Sequence, residues 1–207
     1  NATKLLTEEH FKAMREHNVP EWYIDSCLKI KYLFPKAHAA AYVMMGFRIA
    51  YYKVYYPEAF YAAYFSIRAD EFNAELVLQG VDYVRKYLKE LEAKGNGLTA
   101  KEKNLYTILE VAHEAMLRKI RFLPVDLYRS DATKFLITPN GLLMPLVAIP
   151  GLGETAARAV VKARAEGEFL SVEDLKNRAR LSSNVIEVLT EQGCLKGLPA
   201  TNQLTLF

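Results

Sequence analysis

Cysteine and tryptophan are scarce: two cysteines, Cys27 and Cys194, and one tryptophan in 207 residues. Two lone cysteines far apart in sequence make neither a zinc motif nor a disulfide framework, and they fit a reduced compartment. Each is expected to be a small buried residue. No apolar run approaches the ~18 residues that a membrane span requires, and no secretory leader is expected at the start. Excess charge is also small. A net charge of +3 and a pI of about 8.7 do not by themselves argue for nucleic acid. What is plentiful is apolar surface. Hydrophobic residues make up 51% of the chain, enough for one large domain or two small ones with real cores. The chain opens with Asn1 close to a helix start, the pattern expected of a piece of something longer or of a processed chain.

Helical signals dominate the first 120 residues. Thr7 before Glu8 and Glu9 predicts a capped helix that Asn18-Val19-Pro20 ends. A second helix is expected from Glu21 to Leu33, broken at Phe34-Pro35, and a long one from Lys36 to Tyr56, closed by Pro57. Helices over 58–67 and 73–94 follow, the latter with Leu76, Val77, Val81, Val84, Leu88 and Leu91 at helical spacing. Thr99 and Glu102 form a capping box for a helix reaching about Ile120. The pattern then changes. Strands are expected at 122–128, 134–138 and 142–144, with Pro139-Asn140-Gly141 as a turn. Short helices at 154–165, 172–178 and 184–192 come next, and then a flexible extension from Gly197. The expected fold is mainly α: a helical region over 1–120, a short β connection over 121–145, a hairpin domain over 146–198 and a tail over 199–207.

Ile149-Pro150-Gly151-Leu152-Gly153, with Ala157 and Val160 in the following helix, resembles the helix-hairpin-helix motif, which binds DNA without reading its sequence. Glycines permit the tight turn and close backbone approach. Amides at a helix start can hold a phosphate oxygen, and a small residue such as Ala157 lets two helices cross closely. Gly151, Leu152, Gly153, Thr155, Arg158 and Lys162 are the candidate DNA-binding residues of this hairpin. A weaker copy centres on Leu181-Ser182-Ser183, adding Arg180, Ser182 and Ser183. Two copies resemble the paired form that straddles a duplex minor groove. Between Ile149 and Leu198 seven basic residues meet seven acidic ones, so a grip on DNA has to come from local arrangement and backbone amides. The alternative is a structural hairpin that touches only protein.

The chain ends in Gln203-Leu204-Thr205-Leu206-Phe207, which resembles the Gln-Leu-x-Leu-Phe peptide that bacterial proteins use to dock on the sliding clamp. Leu204, Leu206 and Phe207 would fill an apolar pocket while Gln203 hydrogen-bonds at its edge. Burial is worth roughly 1.5–3 kcal/mol per side chain before the cost of ordering the peptide. The alternative is that the three apolar side chains pack on the domain itself.

Between Lys29 and Arg68 there are six basic residues and one acid, a net +5 in a chain whose total is +3. Lys36 and His38 sit at a helix start, where amides also favour anions, and a triphosphate suits such a place. Most of Phe47, Tyr51, Tyr55, Phe60, Tyr64 and Phe65 are expected in the core.

Phe34-Pro35-Lys36-Ala37-His38-Ala39-Ala40-Ala41-Tyr42 resembles the fingers signature of family C replicative DNA polymerases, specifically the PolC type. The order of fingers segment, connection, paired hairpins and clamp peptide is similar over essentially the whole chain. The resemblance implies a nucleotidyltransferase in which Phe34, Lys36, His38, Tyr42 and Arg48 contact or shape the site of the incoming dNTP. It implies primer-template DNA, the sliding clamp, the rest of the polymerase chain and the replisome as partners, a bacterial cytoplasmic location and no membrane. The catalytic Mg²⁺ ions would lie on palm aspartates outside these residues. No Asp-x-Asp pair occurs here, and Asp70, Asp126 and Asp131 read as cap or loop acids, so these 207 residues alone are expected to be inactive. A repair or recombination protein with hairpins, or a non-enzymatic clamp adaptor, are the rival readings. Neither accounts for the 34–42 segment.

Overall fold

A computed structural model of the protein describes residues 6–29 and 36–202. The chain divides between Ala50 and Tyr51 into two compact units.

In the first unit, α1 (Glu8–Glu16) and α2 (Glu21–Lys29) form a helical pair. The Thr7 amide donates to His10 Nδ1 at 3.0 Å, so the ring takes the place of the usual capping glutamate. The turn passes through Asn18 at φ 56°. An exposed ion pair joins Arg15 to Glu21 at 2.7 Å. Ile24 supplies the buried side chain of α2. The long helix α3 (Lys36–Tyr55) then begins and runs across the division. It is apolar all round, yet no side chain on it is buried. Phe47, Tyr51 and Tyr55, expected in the core, are 74%, 53% and 65% exposed. A helix of this kind needs cover on every side. Hydrophobicity registers that need but not what meets it, and the described residues do not meet it.

The second unit holds α4 (Pro57–Ile67), α5 (Ala74–Leu78), α6 (Val81–Ala93), α7 (Ala100–Leu117), β1 (Phe122–Leu123), β2 (Leu136–Thr138), β3 (Gly141–Leu143), α8 (Glu154–Arg164), α9 (Val172–Arg178) and α10 (Ser183–Glu191). The last turn of α3 is fixed to α7 by a Lys53–Glu114 pair at 2.8 Å and by Arg118 donating to the Lys53 carbonyl at 3.0 Å. The helix expected over 73–94 is two. Gly80, at φ 97°, breaks it and caps α6, while Asn73 Oδ1 caps α5 by accepting from Leu76. The Thr99–Glu102 capping box is present. Helix α7 stops before Ile120 because Lys119 turns left-handed at φ 69°.

The strands are shorter than expected. Pro124 follows β1 and has no N–H for a ladder. Asp126 Oδ1 then accepts from the amides of Tyr128 and Arg129, and Asp131 Oδ1 from those of Thr133 and Lys134. These aspartates are turn caps, as their sequence context predicted. The sheet order is β1-β3-β2, with β3 parallel to β1 and antiparallel to β2. Gly141 is obligatory: at φ 137° any Cβ would lie 2.4 Å from the Arg121 carbonyl oxygen.

One core runs through the second unit, from Tyr61 and Phe65 through Ile108 and Met144 to Val160, Leu175 and Leu189. The hairpin region therefore shares its apolar interior with the helices before it. Cys194 and Cys27 are free and half-buried. Burial pushes the Cys194 thiol up to about 11.

Ser130 is fully buried between two backbone groups, accepting from the Asp126 amide at 2.9 Å and donating to the Met144 carbonyl at 2.7 Å. Ser130→Ala strands both groups and is expected to cost about 1–3 kcal/mol, read as a lower midpoint in urea unfolding with an unchanged slope.

Candidate nucleic-acid interface

The first hairpin is built from its buried residues outward. Ile149 and Leu152 anchor it in the core, each under 4% exposed. The Leu152 amide donates to the Ile149 carbonyl at 3.0 Å, and Gly151 takes φ 90° to close the turn. Gly153 is the N-cap of α8 and has no side chain to occupy the first amides. Ala157 and Val160 are fully buried, so α8 sits close against its neighbours. The result is a helix start whose first amides have no partner among the described residues, beside exposed Gly151, Gly153 and Thr155. Leu152, predicted as a DNA contact, instead turns its side chain inward and commits its amide to the turn. Its part is to hold the loop.

The second hairpin repeats this geometry with different residues. Arg180 holds the left-handed position at φ 51°, Leu181 is buried and Ser182 is the N-cap of α10. Arg180 thus stands where Gly151 stands in the first hairpin, and Ser182 where Gly153 does. Ser182 Oγ accepts from the Val185 amide at 3.3 Å, and Ser183 Oγ accepts from Lys176 Nζ at 2.9 Å. Both hydroxyls are engaged by the protein itself. The two hairpins are therefore unequal: the first offers open amides, the second a guanidinium on a capped turn.

The basic residues divide in the same way. Lys162 is exposed and makes no ion pair among the described residues. Arg158 pairs with Glu154 one turn away at 2.6 Å, an exposed contact that a phosphate can displace at little cost. Arg164 and Arg178 are internal fasteners. Arg164 donates to the Leu127 carbonyl at 2.7 Å. Arg178 reaches the carbonyls of Ala163, Gly167 and Glu168 and the Asp174 carboxylate, and lies 4.7 Å over the Phe169 ring. The Leu170 amide, with Arg178 behind it, holds the Asp174 carboxyl below the usual range. An arginine at the very end of a short helix carried no sign of this in sequence.

On the other candidate face, His38 and Tyr42 are brought together, their rings 4.3 Å apart one turn along α3. Lys36 and Arg48 are exposed on the same helix but not on the same face. At about 100° per residue Lys36 lies roughly 160° around the axis from His38, and Arg48 about 15 Å further along. Phe34 and the peptide residues Gln203, Leu204, Leu206 and Phe207 lie outside the described residues. Among the described residues no group of three or more His, Cys, Asp or Glu side chains converges to hold a metal ion, and no helix is long and apolar enough to cross a membrane.

A family model for the helix-hairpin-helix motif matches residues 119–204, so it takes in the sheet together with both hairpins. Along 99% of its length the chain is 59% identical to DNA polymerase III PolC-type of Caldanaerobacter subterraneus subsp. tengcongensis. It is 53% identical to the proteins of the same description from Clostridium perfringens and Bacillus subtilis. The chain belongs to the PolC-type DNA polymerase III family. It spans only 14–15% of the length of these relatives. The PolC resemblance drawn from residues 34–42 and the hairpin motif drawn from 149–160 are both borne out. The short β connection turns out to belong to the same PolC segment that the hairpin family model covers.

Two arginines two residues apart should separate structure from grip. Arg178→Ala uncovers three carbonyls and a carboxylate and should cost about 2–3 kcal/mol of stability. Arg180→Gly exchanges a left-handed strain of about 1 kcal/mol for glycine's entropy, leaving stability nearly unchanged. It should instead weaken duplex DNA binding and lower the salt slope by about one. Parallel unfolding and salt-titrated DNA-binding measurements check both.

Proposed function

We propose that this stretch serves a replicative DNA-directed DNA polymerase in three ways: it grips the duplex behind the primer end, contributes contacts to the incoming dNTP, and tethers the enzyme to the sliding clamp. The observation that carries the proposal is the matched pair of hairpins. Two adjacent turns present helix starts outward, and one leaves its amides open. Backbone amides and scattered cations address phosphates alone, so such a grip is indifferent to sequence, as a polymerase that copies any template requires. The exposed cations spread around α3, with the His38 and Tyr42 rings 4.3 Å apart, offer charge and ring surface that suit a triphosphate.

The reading assigns the chemical step, and the Mg²⁺ it uses, to carboxylates elsewhere in the longer polymerase. Asp126 and Asp131 are occupied by turn amides, and nothing among the described residues fits a two-metal site. Primer-template DNA, dNTP, the sliding clamp and the remaining replisome are the partners, in the bacterial cytoplasm at the nucleoid. The terminal peptide Gln203–Phe207 is the tether, and tethering raises the local concentration of enzyme at the primer end.

Deleting Gln203–Phe207 from the whole polymerase should abolish binding to purified sliding clamp while leaving distributive primer extension without clamp unchanged. Equal clamp binding by both versions would remove the tether from the proposal.

A further inference from the structure

The chain just before the terminal peptide is not loose. The amide of Val172 donates to the Pro199 carbonyl at 2.9 Å and that of Glu173 to the Ala200 carbonyl at 3.1 Å. The Ser171 hydroxyl donates to Asn202 Oδ1 at 2.6 Å and accepts from the Asp174 amide at 3.0 Å. Ser171 is fully buried. The orphan amides at the start of α9 are thus satisfied in part by a segment that comes some thirty residues later in sequence. Leu195 is buried and Leu198 packs on the same core, so the segment leading to the clip is held as well. Helix α9 leads into the second hairpin and packs on α8, which leaves the first, and on α10, which places the clip on a helix in contact with the helices that follow both hairpins. The first part of the extension expected to be flexible is therefore fastened as far as Asn202.

We propose that this clip is a strut: residues Pro199–Asn202, with Ser171 and Asn202 as positioning residues, set the clamp-docking peptide at a fixed point on the hairpin domain. This rests on the clamp reading above. Gln203 follows the clipped Asn202 directly, with no linker between them. Five residues reach at most about 18 Å even when fully extended. A clamp held by this peptide is confined to about that radius from the clip on α9, the helix that packs on both α8 and α10. Clamp and duplex are then engaged by one body with matched geometry. Effective concentration is highest when the tether length fits the span, and it falls as the tether lengthens.

The test uses the whole polymerase with twelve Gly/Ser residues inserted between Asn202 and Gln203, which leaves clip and peptide intact. Such an insert adds a coil of roughly 20 Å root-mean-square length. Affinity for free clamp should stay within about twofold, while tract length on primed DNA with loaded clamp should fall by about threefold to tenfold. Asn202→Ala should shift tract length in the same direction by less. Unchanged tract length in the insertion variant, with unchanged clamp affinity, would overturn the strut. So would a loss of free-clamp affinity, since the peptide would then depend on its neighbours for binding itself. Clamp binding that survives deletion of Gln203–Phe207 would instead sink the clamp reading, and the strut with it.

Discussion

Four phenylalanine rings meet where α4, the loop after it, β1 and the approach to β2 converge. Phe65, Phe72, Phe122 and Phe135 lie with every pair of centroids within 6.4 Å. Each edge-to-face contact adds roughly 0.5–1.5 kcal/mol beyond its area, but position matters more than the sum. The rings join helical segments to strands separated by some fifty residues, and Ser66 Oγ accepts the Phe135 amide at 2.8 Å beside them. The strands in turn carry Met144 and Leu146 into the interior that Ile149 and Leu152 continue. The outward turn at 151–153 has its rigidity because that apolar chain of contacts is unbroken behind it.

The hairpins show how one geometry accepts different chemistry. Each has a left-handed residue, a buried leucine and an N-cap in that order. The first fills the outer two places with glycine and keeps its amides open. The second fills them with Arg180 and Ser182, gaining a cation and spending a hydroxyl on its own helix. A duplex held between them would meet hydrogen-bond donors on one side and charge on the other. Both interactions address phosphate, but only the second weakens steeply with salt.

Much of this was legible in the residues. Capping signals located the start of α7, the Pro-Gly-x-Gly spacing located the first hairpin, and the 34–42 segment pointed to the family. What escaped reading has physical causes. An isolated glycine is tolerated inside many helices, so Gly80 gave no firm sign of a break. The exposure of α3 depends on what lies across from it, which no local pattern encodes. Arg178 and the Pro199–Asn202 clip act through bonds to backbone atoms distant in sequence, and a backbone carbonyl has no residue-type signature. Within the candidate site, Lys162 and Arg180, chosen as DNA contacts, face solvent, whereas Arg164 and Arg178, left out of that choice, are bound to carbonyls, a role that no residue pattern signalled.

The open amides at Gly153 and the first turn of α8 have a genetic consequence. Every residue but proline supplies the same N–H, so replacing side chains around the turn does not delete the donor. Alanine scanning across 149–156 would register Ile149, Leu152 and the left-handed Gly151 as structural and pass over the donors in silence. A function carried by the main chain is buffered against most single-codon change. It is lost chiefly through proline, or through bulk at Gly151, where φ 90° penalises any side chain.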